Sequence, residues 1–332
     1  GCDSSCRIEE GWICDGQSST TCEPLEQCII DEDCDDGYSC TVDICNDGEC
    51  ELMPDDSQCD TGEICDPDSY GTHSPDGCGI PAKCEVTSFG FTPLTDFEAG
   101  ETYQGFEGGL YPGESNIRPT GHNELGINLA NSIQPLDING NVDENGGITL
   151  MISIGMSNTN QEFEKFVGLV DAFSKKNPKL IVLNLAHGGY GAAPDYANPN
   201  DDYWQKVDQD IVNAGFSPEQ VQIVWMKNAI PSVGNDPNTM NFPDDALTLS
   251  QYLKNATIII QDKFSKVKLL YVGSRTYGGY ASTDLNPEPY AYQSGFSVKW
   301  LIEDQLNGNP ELEIGIEAPW MSWSPYLWAD GL

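Results

Sequence analysis

The chain has 332 residues and a formal net charge of −38 at pH 7. A surface field of that sign repels nucleic acid and anionic lipid, so the composition excludes a nucleic-acid-binding protein. No apolar run approaches the roughly 20 residues that a membrane-spanning helix needs, so we expect no membrane span. The length predicts two domains or three.

Cysteine is confined to the first quarter of the chain: all 13 cysteines lie between Cys2 and Cys84. Residues 1–84 hold 22 acidic residues against Arg7 and Lys83, and few aliphatic ones. Such a segment cannot offset its conformational entropy by burial, so disulfides or metal must replace the missing core. Because histidine is scarce here, disulfides formed in an oxidising compartment fit better than zinc. We therefore predict a disulfide-rich module in an extracellular protein, secreted or on the cell surface.

Two further features of this module are its odd number of cysteines and its first residues. An odd number of cysteines predicts that one partner is missing from this chain or lies on another chain. The chain opens with Gly1-Cys2, without an initiator methionine or signal peptide, which favours a processed or partly ordered terminus.

Two stretches of the module resemble cysteine-rich repeats of bacterial extracellular proteins. The first, C-DSS-C-RIEEGWI-C-DGQSSTT-C, spans residues 2–22, and the second, C-IIDED-C-DDGYS-C-TVDI-C-NDGE-C, spans residues 28–50. Repetition at roughly 25–30 residues is typical of stacked disulfide modules, each too small to fold alone. The resemblance supports an extracellular location.

The second repeat contains alternating carboxylates before a glycine. Asp31, Asp33 and Asp35 precede Gly37, a pattern with which a short loop can wrap a hard cation in oxygen ligands. The full twelve-residue loop with a terminal glutamate is not evident. We hypothesise that these three residues bind Ca²⁺, and the alternative is a solvated acidic turn.

Residues 85–147 are rich in Gly, Pro and Asn and carry scattered aromatic residues. These aromatics are too many for a solvated linker, so we expect a lead-in that packs against the following domain. A short helix is predicted around residues 122–133.

Residues 148–332 alternate between apolar runs and amphipathic segments, which predicts an α/β domain. Continuous apolar strands indicate a parallel sheet that is covered on both faces. We therefore predict a flavodoxin-like three-layer sandwich with a parallel sheet of about five strands. The predicted strands are residues 148–155, 179–186, 221–226, 267–274 and 312–318, and the predicted helices are residues 161–176, 201–215, 243–266 and 290–306.

Three loops after predicted strands carry residues that suit acyl transfer. Ser157 follows the first strand, Gly189 the second and Asn228 the third. A serine can act as the nucleophile, while a glycine N–H and an asparagine side chain can stabilise an oxyanion. The structural alternatives are a helix N-cap for Ser157 and a turn residue for Asn228.

This arrangement resembles the SGNH/GDSL hydrolase superfamily, whose first three blocks supply Ser, Gly and Asn. The chain looks closest to a secreted bacterial subgroup with G-M-S-N in the first block and a segment like LNPEPYAYQSGFSVKWLIEDQ, which is residues 285–305 here. The similarity covers roughly residues 97–332. By resemblance Ser157 is the nucleophile, and Gly189 and Asn228 belong to the oxyanion hole. No cofactor is implied for catalysis.

The family's last block, D-x-x-H, supplies the general base, and it is absent from this chain. None of His73, His122 and His187 has an aspartate three residues before it. We expect the base to come from a segment beyond Leu332, or the chain to be incomplete or inactive as a hydrolase. His187, in the second loop, is an unorthodox alternative base.

Three functions therefore stay open. The first is a secreted SGNH-type serine esterase that hydrolyses an acylated extracellular glycan or a small ester. The second is a non-catalytic structural subunit that self-associates into an extracellular filament, appendage or surface layer. The third is a carbohydrate-binding module that uses the ancestral cleft.

Overall fold

The chain divides into two compact units, Gly1–Glu85 and Val86–Leu332, which we call the head and the body. In this computed structural model the described residues are 12–14, 22–24, 28, 30–46, 48–59, 64–65, 77–79, 91–192, 196–230, 242–276 and 288–328. The structural statements below concern these residues.

The head consists of three short antiparallel hairpins. The central hairpin is the longest and follows a 3-10 helix at Asp31–Cys34. A second 3-10 helix, Asp56–Gln58, follows this hairpin. The strands are β1 (Trp12–Cys14), β2 (Cys22–Pro24), β3 (Thr41–Asn46), β4 (Glu49–Pro54), β5 (Ile64–Cys65) and β6 (Cys78–Gly79).

Disulfides take the place of an apolar core in the head. Three of its cysteines, Cys40, Cys65 and Cys78, form a buried cluster. The prediction of a disulfide-rich module is confirmed, since four disulfides lie within residues 28–78, as expected for a small domain with little apolar surface. They are Cys28–Cys45, Cys34–Cys50, Cys40–Cys65 and Cys59–Cys78. These bonds are consistent with an extracellular protein.

The body begins with short elements that pack through aromatic side chains. Tyr103 stacks on Tyr292, with ring centroids 4.3 Å apart, and Phe106 lies 5.2 Å from Trp300. Leu94 is fully buried in the same cluster. The elements are a 3-10 helix at Leu94–Asp96, β7 (Thr102–Tyr103), β8 (Phe106–Glu107) and helix α1 (Thr120–Asn131).

The rest of the body is an α/β domain with a five-stranded sheet in the order β10-β9-β11-β12-β13, and all of its strand pairs are parallel. Numbered from the first strand of the sheet, this order is 2-1-3-4-5, the flavodoxin-like order. The predicted fold class is therefore confirmed. The elements are β9 (Thr149–Gly155), α2 (Ser157–Ala172), β10 (Leu180–Leu183), α3 (Asp202–Asn213), β11 (Val221–Lys227), α4 (Asp244–Lys263), β12 (Leu269–Gly273), α5 (Tyr290–Leu306) and β13 (Trp320–Trp323).

Helices cover both faces of the sheet. Side chains on α3, α4 and α5 share one large core cluster with Leu150 and Val224. Neighbouring residues in a strand face opposite sides, so Trp225 points to the other face, where Phe163 of α2 stacks on it at 5.4 Å. Helix α1 lies on this second face too, because its Gly126 contacts the ring of Trp320. The sheet is thus the middle of three layers.

The predicted fifth strand at residues 312–318 is wrong. Pro310–Leu312 is a 3-10 helix, and the next residues form a turn around Gly315, whose φ is +77°. A left-handed residue of this kind ends an extended run, and Ile316 is 61% exposed. The fifth strand is instead β13, Trp320–Trp323, all four residues of which are buried.

One helix begins earlier than predicted. Helix α2 starts at Ser157, four residues before the predicted start at residue 161. Across the described part of the chain, no helix is both long enough and apolar enough to cross a membrane.

Candidate active site

The connections of the sheet change direction at β9. The chain runs from β9 to β10 on one side and then crosses back to β11 on the other. In doubly wound sheets, ligands bind outside the carboxyl ends of the strands at such a switch point. Gly155 pairs with Lys227 in register, so the loops after β9 and β11 begin side by side. Two predicted site residues follow these strand ends: Ser157 at the start of α2 and Asn228 directly after β11.

Ser157 is the first residue of α2, and its side chain is partly exposed. The N-cap position belongs to Met156, whose backbone is extended, and no side chain caps this helix. Ser157 is therefore not used as the helix cap. Its hydroxyl makes no hydrogen bond to any described residue, which leaves it available to a ligand.

The backbone that leads to Ser157 passes very close to β11. A Cβ atom on Gly155 would lie 2.0 Å from the Lys227 carbonyl oxygen and 2.6 Å from Thr159 Oγ1. Thr159 is fully buried, and its hydroxyl donates to the same Lys227 oxygen at 2.6 Å. The first turn of α2 is thereby fixed to the end of β11, and this requires glycine at position 155.

The second loop touches the start of α2. A Cβ atom on Gly188 would lie 3.7 Å from Ser157 Cβ, whereas one on the neighbouring Gly189 would meet open space. Gly189 has a φ of +90°. The Asn160 side chain holds the loop by donating from Nδ2 to the Ala186 carbonyl at 2.7 Å.

A second polar network, not predicted from the sequence, supports this loop. Ser153 is fully buried within β9, and its hydroxyl donates to Asn184 Oδ1 at 2.7 Å. The Asn184 Nδ2 group donates in turn to the backbone oxygen of Asn160 at 3.0 Å. A serine inside the apolar run of β9 was the sequence signal for this network, because buried hydroxyls need partners.

Asn228 is fully buried and ties two loops together. Its Nδ2 group donates to the Tyr190 carbonyl at 3.1 Å, and its Oδ1 accepts from the Ala229 N–H at 2.8 Å. Asn228 therefore has a structural role in holding the two loops together. A side-chain amide has two N–H donors; one is used by Tyr190, and the buried Tyr196 hydroxyl also lies against the Asn228 side chain.

His187 lies in the second loop and faces an acidic residue on α3. Its Nε2 atom is 2.9 Å from Asp210 Oδ2, although the ring N–H is not aimed at that oxygen. Burial, reinforced by the positive charge of Lys206, lowers the pKa of His187, and Asp210 acts in the opposite direction. An imidazole with a lowered pKa is neutral at pH 7 and can accept a proton.

The other two histidines are placed differently. His122 stacks on Trp320 at 4.9 Å, and its Nε2 lies 2.7 Å from the Met321 carbonyl. Burial lowers its pKa. These contacts give His122 a packing role beside β13. His73 lies outside the described residues.

A buried ion pair joins α2 to β11 beside the site. Lys227 is 1% exposed, and its ammonium group pairs with Glu162 and contacts the Thr276 hydroxyl at 3.3 Å. Burial lowers the pKa of Lys227, and the carboxylate of Glu162 opposes that shift. This pair could not be predicted from local sequence patterns, since its partners lie 65 residues apart.

In the head, two of the predicted calcium ligands bind nearby backbone. Asp31 accepts from the Cys45 N–H at 2.8 Å, and Asp33 accepts from the Ile30 N–H at 3.1 Å. Carboxylate oxygens of Asp35, Asp36 and Asp43 lie within 4.8 Å of one another. The structure thus brings Asp35 together with two residues that the sequence reasoning missed, because the hairpin places Asp43 opposite the acidic loop.

Comparison with known proteins identifies no relative: a scan against models of protein families finds no match, and a search of curated proteins finds none either.

Proposed function

We propose that the body is a serine esterase of the SGNH/GDSL type, in an extracellular protein, acting on an acylated extracellular glycan or a small ester. The observation that carries the proposal is the Ser157 hydroxyl, which has no hydrogen bond to the described residues and lies at the switch point of a flavodoxin-like sheet. The second loop lies against Ser157 at Gly188.

The chemistry follows the usual course of acyl transfer. Ser157 Oγ attacks the ester carbonyl carbon while a base takes its proton, and the carbonyl oxygen becomes an oxyanion. We assign its stabilisation to backbone N–H groups at the start of α2 and at Gly189 and to the Asn228 side chain. The intermediate releases the alcohol, which takes up the proton, and water then hydrolyses the acyl-serine to a carboxylic acid.

The base has two candidate sources. His187 is the described imidazole in the loop that touches Ser157, and burial keeps it neutral. Asp210 beside it can stabilise the imidazolium that forms when His187 accepts the proton. The other source is a group outside the described residues.

Labelling with a fluorophosphonate tests the nucleophile. We expect the full-length protein to become labelled, and Ser157→Ala to lose labelling and about a thousandfold or more of its activity on a p-nitrophenyl ester. Ser265→Ala is the matched control, because Ser265 lies before β12 at the opposite edge of the sheet and is exposed. Persistent labelling of Ser157→Ala would refute the assignment.

The variant His187→Gln separates the two sources of the base. If His187 is the base, this variant loses both labelling rate and esterase activity, and the pH–rate profile loses its acidic limb. Activity retained in His187→Gln assigns the base to another group.

The structural-subunit alternative is favoured by one specific observation. Helix α2 exposes the apolar side chains of Phe166 and Leu169, which are three residues apart and share one face, and the exposed Phe173 follows at its C-cap. This row borders an apolar groove of about 450 Å³, whose wall also includes Trp225 and Tyr271. Exposed apolar patches of this kind often mark protein interfaces.

A further inference from the structure

Buried polar atoms without partners are concentrated where β12 ends and α5 begins. Within the described ranges, eleven buried side-chain nitrogen or oxygen atoms have no hydrogen-bond partner. Five of them belong to only three residues. They are Ser274 Oγ, Arg275 Nε and Nη1, and Gln293 Nε2 and Oε1.

These three residues lie on two neighbouring segments, and we group them as one cluster. The Arg275 N–H donates to the Ser294 hydroxyl at 2.7 Å, which joins the loop after β12 to the first turn of α5, where Gln293 also lies. Ser274 and Arg275 are each 7% exposed, and Gln293 is 1% exposed. Since β12 ends at Gly273, the cluster lies at the carboxyl edge of the sheet, where ligands of such folds bind.

Unpartnered groups of this kind need an explanation. A buried donor or acceptor has lost its hydration and gained nothing in return, and the loss is greatest for a charged group. Native structures leave few such groups, and the exceptions often mark places where an ion, a water or a ligand binds. A guanidinium with two unpaired buried nitrogens is therefore a stronger signal than an unpaired hydroxyl.

Positive charge at this place comes from Arg275 and from the start of α5, while carboxylates lie around Arg275. Burial lowers the pKa of Arg275, while the negative charge of Glu288 and, more weakly, of Glu162 acts in the opposite direction. The side chain stays a cation, because a guanidinium does not deprotonate in proteins. The 17-residue helix α5 adds the partial positive charge of its N-terminus at the same place.

We propose that Arg275, Ser274 and Gln293 form a binding site for the carboxylate group of a ligand. The planar guanidinium donors match the two oxygens of a carboxylate. Gln293 and Ser274 supply both donors and acceptors, which suits hydroxyl groups next to that carboxylate. The site goes beyond the proposed esterase function, because none of its residues takes part in the ester chemistry.

The carboxylate has two possible sources. One is an acidic sugar in an extracellular polysaccharide, and the other is the acid released by ester hydrolysis. Both present the same group to Arg275, but only the sugar also presents hydroxyls to Gln293 and Ser274.

The test is calorimetric binding to the full chain carrying Ser157→Ala, so that ester chemistry plays no part. The probes are D-glucuronate, acetate and neutral D-glucose. We expect carboxylate binding without glucose binding, and we expect Arg275→Gln to weaken it about tenfold or more. Glucuronate binding more tightly than acetate identifies an acidic sugar, and equal affinities identify the released acid.

Arg118→Gln is the matched control, because Arg118 lies over the Trp320 ring 4.9 Å from its centroid and outside the cluster. It should bind the carboxylates as the parent does. Gln293→Leu covers the case in which Arg275→Gln does not fold, and it should also weaken glucuronate binding. The proposal is overturned if neither carboxylate binds at millimolar concentration, if glucose binds as well as glucuronate, or if both site variants bind like the parent. Fluorophosphonate labelling is measured on the protein that retains Ser157, so failure of the carboxylate site and failure of the esterase proposal can be told apart.

Discussion

Gly155 is the residue on which the geometry of the candidate site depends most directly. Its α-carbon lies so close to Lys227 and Thr159 that only a hydrogen fits there. Its φ of +149° is also a value that L side chains rarely adopt. The approach brings the Ser157 loop and the Asn228 loop together, so a side chain at position 155 must separate them.

We predict that Gly155→Ala destabilises the body by about 3 kcal/mol or more, since the clash is with backbone that cannot rotate away. The matched control is Gly168→Ala. Gly168 is exposed in the middle of α2 and a Cβ atom there meets open space, so this change should stabilise by about 0.5–1 kcal/mol. Urea denaturation of both variants measures the two effects.

Equal free energies of unfolding for Gly155→Ala and the unmodified protein would contradict this close approach. Loss of stability in Gly168→Ala would contradict the position assigned to α2.

The sequence predicted where the candidate site residues lie along the chain, but not which residues they contact. Ser157, Gly189 and Asn228 were expected just after strands; Ser157 begins the helix that follows β9, and Gly189 and Asn228 lie in the loops after β10 and β11. The sequence could not show that Asn228 donates to Tyr190 or that His187 faces Asp210, because these contacts depend on how separate loops meet. Whether the three residues act in catalysis stays a prediction.

Among the elements, the start of α2 shows why boundaries were harder to predict than cores. The apolar period begins at Phe163, and the preceding Ser-Asn-Thr-Asn run contains poor helix formers. In the structure, Thr159 and Asn160 bind the Lys227 and Ala186 carbonyls, and these tertiary contacts stabilise the first turn. Local propensity was overridden by bonds to distant residues.

The predicted fifth strand was misplaced for a different reason. The alternation of Leu312, Ile314 and Ile316 favoured a strand at residues 312–318, but a turn at Gly315 exposes Ile316. The true strand, Trp320–Trp323, has only four residues. A run of four buried residues is too short for its hydrophobic periodicity to distinguish a strand from a helix segment or a packed loop.

The exposed apolar row on α2 leads to a prediction about self-association. If the row is an interface between copies, the protein self-associates at high concentration and Leu169→Glu, which places a charge at a side chain 71% exposed, makes it monomeric. Leu247→Glu on α4 is the matched control, since Leu247 is 51% exposed on another helix and should leave assembly unchanged. Analytical ultracentrifugation of the three proteins provides the measurement.

A parent protein that is monomeric at every concentration removes the support for the structural-subunit alternative. Equal effects of both charged variants would show that association does not depend on α2.

For the molecule as a whole, the net charge of −38 makes cations its natural counterions. We predict that Ca²⁺ raises the melting temperature of the head. Each tenfold increase in Ca²⁺ concentration above the dissociation constant should add about 1.4 kcal/mol to the free energy of unfolding. Asp36→Asn should abolish the shift if Asp35, Asp36 and Asp43 hold the ion. Asp33→Asn should abolish it if the predicted set of Asp31, Asp33 and Asp35 does.

Sodium chloride at matched ionic strength is the control, because any salt screens repulsion among so many carboxylates. A calcium shift no larger than the sodium shift would leave the acidic residues as a solvated turn.

The four disulfides within residues 28–78 overlap in sequence. Cys28–Cys45 overlaps Cys34–Cys50, which overlaps Cys40–Cys65, which overlaps Cys59–Cys78. Every peptide bond between residues 28 and 78 is therefore spanned by at least one cystine. A protease that nicks this stretch once releases no fragment, and the two pieces separate only after chemical reduction. A single proteolytic cleavage in this stretch therefore leaves the two pieces covalently joined until the disulfides are reduced.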